Sequence, residues 1–157
     1  MKKIYNFFFN LLLLLLAVGQ LSAADFDFVN TGSNMTVFVT PETSMTGDFS
    51  NIDQIGVFFI NDSGELACAG ASSFVADGNF QITVWGSEAG ADNGMGDGDE
   101  VIWLAETSDG VIYNVSAEYQ TEAMANYTLN TISFVTALNF NLDNSSIIEG
   151  CMNENAC

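Results

Sequence analysis

The residues best suited to chemistry lie in one stretch, Asp92-Asn93-Gly94-Met95-Gly96-Asp97-Gly98-Asp99-Glu100. A hard divalent cation such as calcium takes about six to eight oxygens from carboxylates, amides and backbone carbonyls. Asp92, Asn93, Asp97 and Asp99 offer side-chain oxygens close together, with Glu88 and Glu100 beside them. The glycines between them let the backbone turn tightly enough to aim its carbonyls inward. These four are the candidate calcium ligands. Their spacing is not that of an EF-hand loop, so the feature is one of composition, and its ordinary counterpart is a solvated connection between two strands.

Carboxylates are also the only catalytic groups the chain offers. It contains no His, and its two basic residues are Lys2 and Lys3. Ser-His-Asp and Cys-His catalysis and His-ligated zinc are thereby excluded. So is cationic stabilisation of a transferring phosphoryl group. Paired carboxylates hydrolyse glycosides, which keeps a glycoside hydrolase in view. Asp62-Ser63-Gly64 has the form of the aspartic-protease triplet, in which two such carboxylates share a proton. The same residues with Asn61 also make an ordinary hairpin loop. No residue is assigned a catalytic role, and the chain is expected not to be an enzyme. Exposed aromatics serve recognition, and Trp85, on the more polar side of its strand, is the candidate ligand-binding residue. Trp103 lies in an apolar run and is expected in the core.

The N-terminus places this chemistry outside the cytoplasm. Lys2 and Lys3 precede the apolar run Phe7 to Gly19, interrupted only by Asn10, and the small residues Ser22, Ala23 and Ala24 close it. That order is a secretory signal, cleaved after Ala23 or Ala24, and the run is shorter than a bilayer-spanning helix needs. Residues 1–24 are therefore read as a signal peptide. No later stretch is long enough to span a membrane. All twenty acidic residues follow the signal and both lysines precede its cleavage site, so the mature part carries a formal charge of −20. Without a cation it cannot displace the counterions of nucleic acid, nor dock on anionic lipid. Its carboxylates repel one another, relieved only by salt, bound cations or protonation.

Positioning falls to strands. About 133 residues remain, enough for one domain, and 48% hydrophobic with 12% aromatic residues is a folding composition. Met35, Val37 and Val39 alternate with polar residues, as do Phe80, Ile82 and Val84, and Val111 through Tyr119. Ile132, Phe134, Leu138, Phe140 and Leu142 share one parity, interrupted by Thr136. Each series predicts a half-buried strand. Ile55–Ile60 and Val101–Ala105 are continuous apolar runs, read as central strands covered on both faces. Turns are predicted at Asn61-Asp62-Ser63-Gly64, Asp77-Gly78-Asn79 and Asp109-Gly110. Pro41 is expected to end a strand, and a short helical stretch is placed around Thr121 to Ala125. The sum predicts a single antiparallel β-sandwich of about seven to nine strands over residues 25–142.

Residues 143–157 lose the alternation and form an irregular tail, expected to be a truncated repeat. Cys68 is odd in number against Cys151 and Cys157. It is either a buried free thiol or paired outside this sequence, and the tail cysteines either bridge each other or pair elsewhere.

Several short segments in order resemble a known module. They are Asn30-Thr31-Gly32-Ser33-Asn34-Met35-Thr36-Val37, Ile55-Gly56-Val57-Phe58, Cys68-Ala69-Gly70-Ala71, Ile82-Thr83-Val84-Trp85-Gly86, and Gly98-Asp99-Glu100 followed by Trp103. The order resembles an uncharacterised β-rich module repeated in secreted and surface proteins of marine Bacteroidetes. The tail Gly150-Cys151-Met152-Asn153-Glu154-Asn155-Ala156-Cys157 resembles the opening of Cys-containing repeats in such proteins. Ser87-Glu88 matches only in part the acidic residues that usually follow the Trp-Gly pair. The resemblance implies a secreted or cell-surface building block with no activity attached. The leading expectation is a non-enzymatic adhesive or structural module, with extracellular polysaccharide or other surface proteins as partners. A calcium-supported carbohydrate-binding module comes second and the glycoside hydrolase third.

Overall fold

A computed structural model describes residues 24–140. The signal segment through residue 23, Leu142 and the tail with Cys151 and Cys157 lie outside the described residues. The seven described strands are β1 (Asn34–Gly47), β2 (Ile52–Ile60), β3 (Leu66–Ser73), β4 (Phe80–Trp85), β5 (Ile102–Thr107), β6 (Ile112–Tyr119) and β7 (Ile132–Phe140). A 3-10 turn, Glu122–Ala125, lies between β6 and β7, where the helical stretch was expected.

The all-β expectation holds, but the arrangement differs from an antiparallel sandwich. The strands form one sheet in the order β3-β2-β5-β6-β7-β1-β4, and β1 runs parallel to β7. The ends of the sheet curl back together. A side chain at Gly70 of β3 would collide with the carbonyl oxygen of Thr83 in β4, so Gly is what permits this approach. β6 and β7, an antiparallel pair, are joined by residues 120–131 rather than by a tight turn. In that connection Asn130 adopts the left-handed conformation that Asn tolerates, and its N–H donates to the Asn34 carbonyl at 2.8 Å. This seats the start of β7 beside β1.

The alternating residues fill the inside of the curl. Met35, Val37, Val39, Phe80, Ile82 and Val84 from β1 and β4 meet Ile55, Val57, Phe59, Trp103 and Ala105 from β2 and β5. Trp103 is 3% exposed, as its apolar run implied. The continuous runs are also covered on their second face. Phe58 and Leu104 point outward with Cys68, and Phe26, from the segment before β1, closes over them. Phe26 meets Phe58 edge to face at 5.0 Å, over Gly56, where a Cβ would come within 3.0 Å of the Phe26 ring.

Two local expectations are corrected. Pro41 does not end a strand: β1 passes through it, and the register with β7 shifts between Val39 and Ser44. Buried Thr43 holds that bulge, its hydroxyl donating to the Val135 carbonyl at 2.8 Å and accepting the Thr40 N–H at 3.1 Å. The parity assigned to β7 also fails in its first half. Glu118 pairs with Ala137 and Tyr119 with Val135, so Thr136 is an extra residue on β7. A bulge of one residue exchanges the faces. Leu138 and Phe140 therefore point inward with Val135 and Ser133, while Ile132 and Phe134 point out, 53% and 39% exposed.

The expected turns are present. In the hairpin between β2 and β3, the Asn61 side-chain oxygen accepts the N–H groups of Ser63 and Glu65 at 3.1 and 2.8 Å. Gly64 supplies the positive φ of 79° that this loop needs.

Candidate functional site

The acidic loop leaves β4 at Trp85 and is stitched into the body of the domain. Ser87 N–H donates to the Met95 carbonyl and Met95 N–H to the Trp85 carbonyl, at 2.8 and 3.0 Å, with the Met95 side chain buried. Farther along, Gly98 N–H bonds the Tyr127 carbonyl and Tyr127 N–H the Asp99 carbonyl, at 2.9 and 2.8 Å.

The four candidate calcium ligands each accept a backbone N–H. Asp92 accepts the N–H of Asp62 in the neighbouring hairpin at 2.9 Å. Asn93 accepts the Glu88 N–H at 3.1 Å and donates to the Glu88 carboxylate at 2.9 Å. Asp97 receives the Leu129 N–H at 3.4 Å, and Asp99 the Gly96 N–H at 2.7 Å. Each carboxylate or amide oxygen thus satisfies a backbone donor of a different turn, which is the structural use of short polar side chains in loops. Among the described residues no group of three or more His, Cys, Asp or Glu is placed to hold a metal ion.

A depression of about 300 Å³ opens where β5 and β6 diverge, lined in part by Glu100, Trp103, Asn114, Ser116 and Tyr119. Trp103 Nε1 donates to the Tyr119 hydroxyl at 2.7 Å, and burial pushes the Tyr119 phenol up to about 12. Glu100 is the one carboxylate in this lining, whereas glycoside hydrolysis needs two facing each other. A second hollow of about 30 Å³, beside Asp48 and Thr107, holds little more than a water. Asp62, of the protease-like triplet, sits exposed in its hairpin with its N–H on Asp92.

The remaining feature is a face. On the outside of the curl, β4, β1 and β7 lie side by side, and their registers bring Trp85 beside Asn34, Thr83 beside Thr36 and Ile132, and Gln81 beside Phe38 and Phe134. Phe38 and Phe134 are stacked, with ring centroids 5.7 Å apart and planes 21° from parallel. No charged side chain stands among these eight, on a domain with seventeen of the chain's twenty acidic residues. Trp85 is half-buried on this face, the side its parity predicted. Phe38, Phe134 and Ile132 were not singled out by sequence reasoning. The usable signal was Thr136, whose polar side chain breaks the β7 pattern where the bulge reverses its faces.

Elsewhere on the outside of the curl, over β2, β3 and β5, Cys68 lies under Phe26 as a free thiol, and burial pushes it up to about 12. That favours the first of its two readings, a buried structural residue rather than a reactive one. Comparison of the chain with protein-family models, curated proteins and solved structures gives no match. No helix among the described residues is long and apolar enough to cross a membrane.

Proposed function

We propose that the protein is an exported, non-enzymatic adhesive module that makes contact through the outer face of β4, β1 and β7. The observation that carries this reading is the uncharged patch around stacked Phe38 and Phe134, with exposed Ile132 next to them and half-buried Trp85 at its far end. Exposed apolar surface of this kind, rimmed by polar residues, marks interaction sites on soluble proteins. The signal-like N-terminus supports export, and the resemblance to a repeated surface module supports a role within a larger assembly. A nearly closed sheet, filled inside and sealed outside by Phe26, provides the rigid scaffold that an adhesive sandwich would.

The non-enzymatic reading rests on the absence of His and of cations from the mature part, and on the single carboxylate in the cleft between β5 and β6. The test is adsorption of the exported chain to intact cell surfaces and to extracellular matrix material. Wild type is expected to be retained, and Phe134→Ser to be retained several-fold less at unchanged melting temperature. Equal retention of both proteins would overturn the assignment of the face.

A further inference from the structure

We infer that the β4-β1-β7 face takes an extended neutral polysaccharide; the inference rests on the adhesive reading and names its ligand. The geometry selects a polymer over a small molecule. Small ligands are held in clefts that bury most of their surface, and this face is open and three strands wide, roughly 10 Å across. Trp85 stands opposite Asn34, four residues along β1 from Phe38, so the aromatic groups mark the ends of a track about 13 Å long. The stacked Phe38–Phe134 pair offers apolar ring surface at one end and the partly exposed Trp85 indole offers more at the other. Between them Thr36 and Thr83 stand directly opposite each other, with Gln81 beside Phe38.

That sequence of groups matches a sugar chain. A pyranose ring presents C–H bonds on its faces, which pack on the electron-rich face of an aromatic ring. It presents hydroxyls at its edges, which hydroxyl and amide side chains can both donate to and accept from. The threonines and Gln81 serve those edges while the aromatic groups take the faces.

Charge selects among polymers and partners. A polyuronate or sulfated glycan would be repelled by a formal charge of −20 with no cation to receive it. A second copy of the chain would bring the same charge against itself. A basic protein would be drawn to the acidic surroundings, but none of the eight side chains of this patch is a carboxylate that could pair with it. A neutral glycan meets no repulsion and leaves no charge buried.

The test is affinity electrophoresis of the full exported chain through gels containing cellulose derivatives without charge, a linear β-1,3-glucan or a mannan, with alginate as the anionic comparison. Retardation by at least one neutral polymer and none by alginate is expected. Trp85→Ala and Phe134→Ala should each weaken it by about tenfold, and Phe134→Tyr, which keeps the ring, should not. Melting temperature checks that each variant is folded. Absence of retardation in every neutral gel, stronger retardation by alginate, or wild-type behaviour of both alanine variants overturns the inference. If adsorption to matrix still depends on Phe134 while every neutral gel is inert, the adhesive face stands and the glycan falls. If neither depends on Phe134, both fall. Concentration-dependent dimers lost in Phe134→Ala would assign the face to a second copy and also overturn it.

Discussion

Phe26 closes the second face of β2 and β5 from a position two or three residues after the expected signal cleavage site, and its removal should be felt by the whole domain. Burying a Phe side chain contributes about 1.5–3 kcal/mol. The edge-to-face contact with Phe58 adds about 0.5–1.5 kcal/mol. Phe26→Ala on the outer face of the sheet lets water reach Phe58 and Leu104 instead of leaving a sealed cavity, so the cost should be about 2–3 kcal/mol, without the additional cavity penalty of a central core site. For a domain of this size that lowers the melting temperature by roughly 10 °C. The neighbouring Phe28 is 42% exposed, and Phe28→Ala should change stability by no more than about 0.5 kcal/mol. A second readout is chemical. Cys68 shares the cluster with Phe26, so Phe26→Ala should accelerate its alkylation, followed at peptide level by mass spectrometry to separate it from Cys151 and Cys157. A stability loss below about 1 kcal/mol, with alkylation of Cys68 unchanged, would refute the docking of Phe26.

Three further outcomes follow from the same contacts. Burial raises Cys68 from an ordinary 9.0, and Tyr119 from 10.0, each to about 12, so the fold retains protons that the unfolded chain releases. Their contribution to stability is intact below pH 9.0 and declines as pH rises toward about 12; Cys68→Ala should remove the earlier part of that decline in a series of pH-dependent melts. Gly70→Ala drives a Cβ into the Thr83 carbonyl and should cost on the order of 1–3 kcal/mol, with an unchanged melting temperature contradicting the closure of β3 onto β4. Millimolar calcium at fixed ionic strength should leave the melting temperature where EDTA leaves it, because Asp92, Asn93, Asp97 and Asp99 serve separate backbone donors; a rise of several degrees that magnesium cannot reproduce, abolished by Asp97→Asn with Asp99→Asn, would show that they converge on an ion.

Local physics was legible in the sequence and long-range pairing was not. Alternation placed Met35, Val37, Val39, Phe80, Ile82 and Val84 inside, and the run Ile55 to Ile60 is buried on both faces as far as Phe59, with Ile60 51% exposed at the strand end. Asn61 and Gly64 announced their hairpin because that turn is decided within five residues. The parallel pairing of β1 with β7 and the curl of β3 onto β4 depend on partners far apart in the chain. No local pattern specifies them. Pro41 read as a strand end because its missing N–H usually breaks a ladder, but buried Thr43 supplies the bonds that carry β1 past it. Trp85 was correctly placed on the polar side of β4. Phe134 was read as core because one extra residue, Thr136, reverses every side chain before it.

The most direct measurement is hydroxyl-radical footprinting of the protein, free and bound to the material that retains it. Trp85, Phe38, Phe134 and Ile132 should lose reactivity on binding, while Phe28, Val75 and Val111, exposed elsewhere, keep theirs. Protection of Phe28 or Val111, with Trp85 and Phe134 unchanged, would show that contact is made through another surface and contradict the assignment of the β4-β1-β7 face.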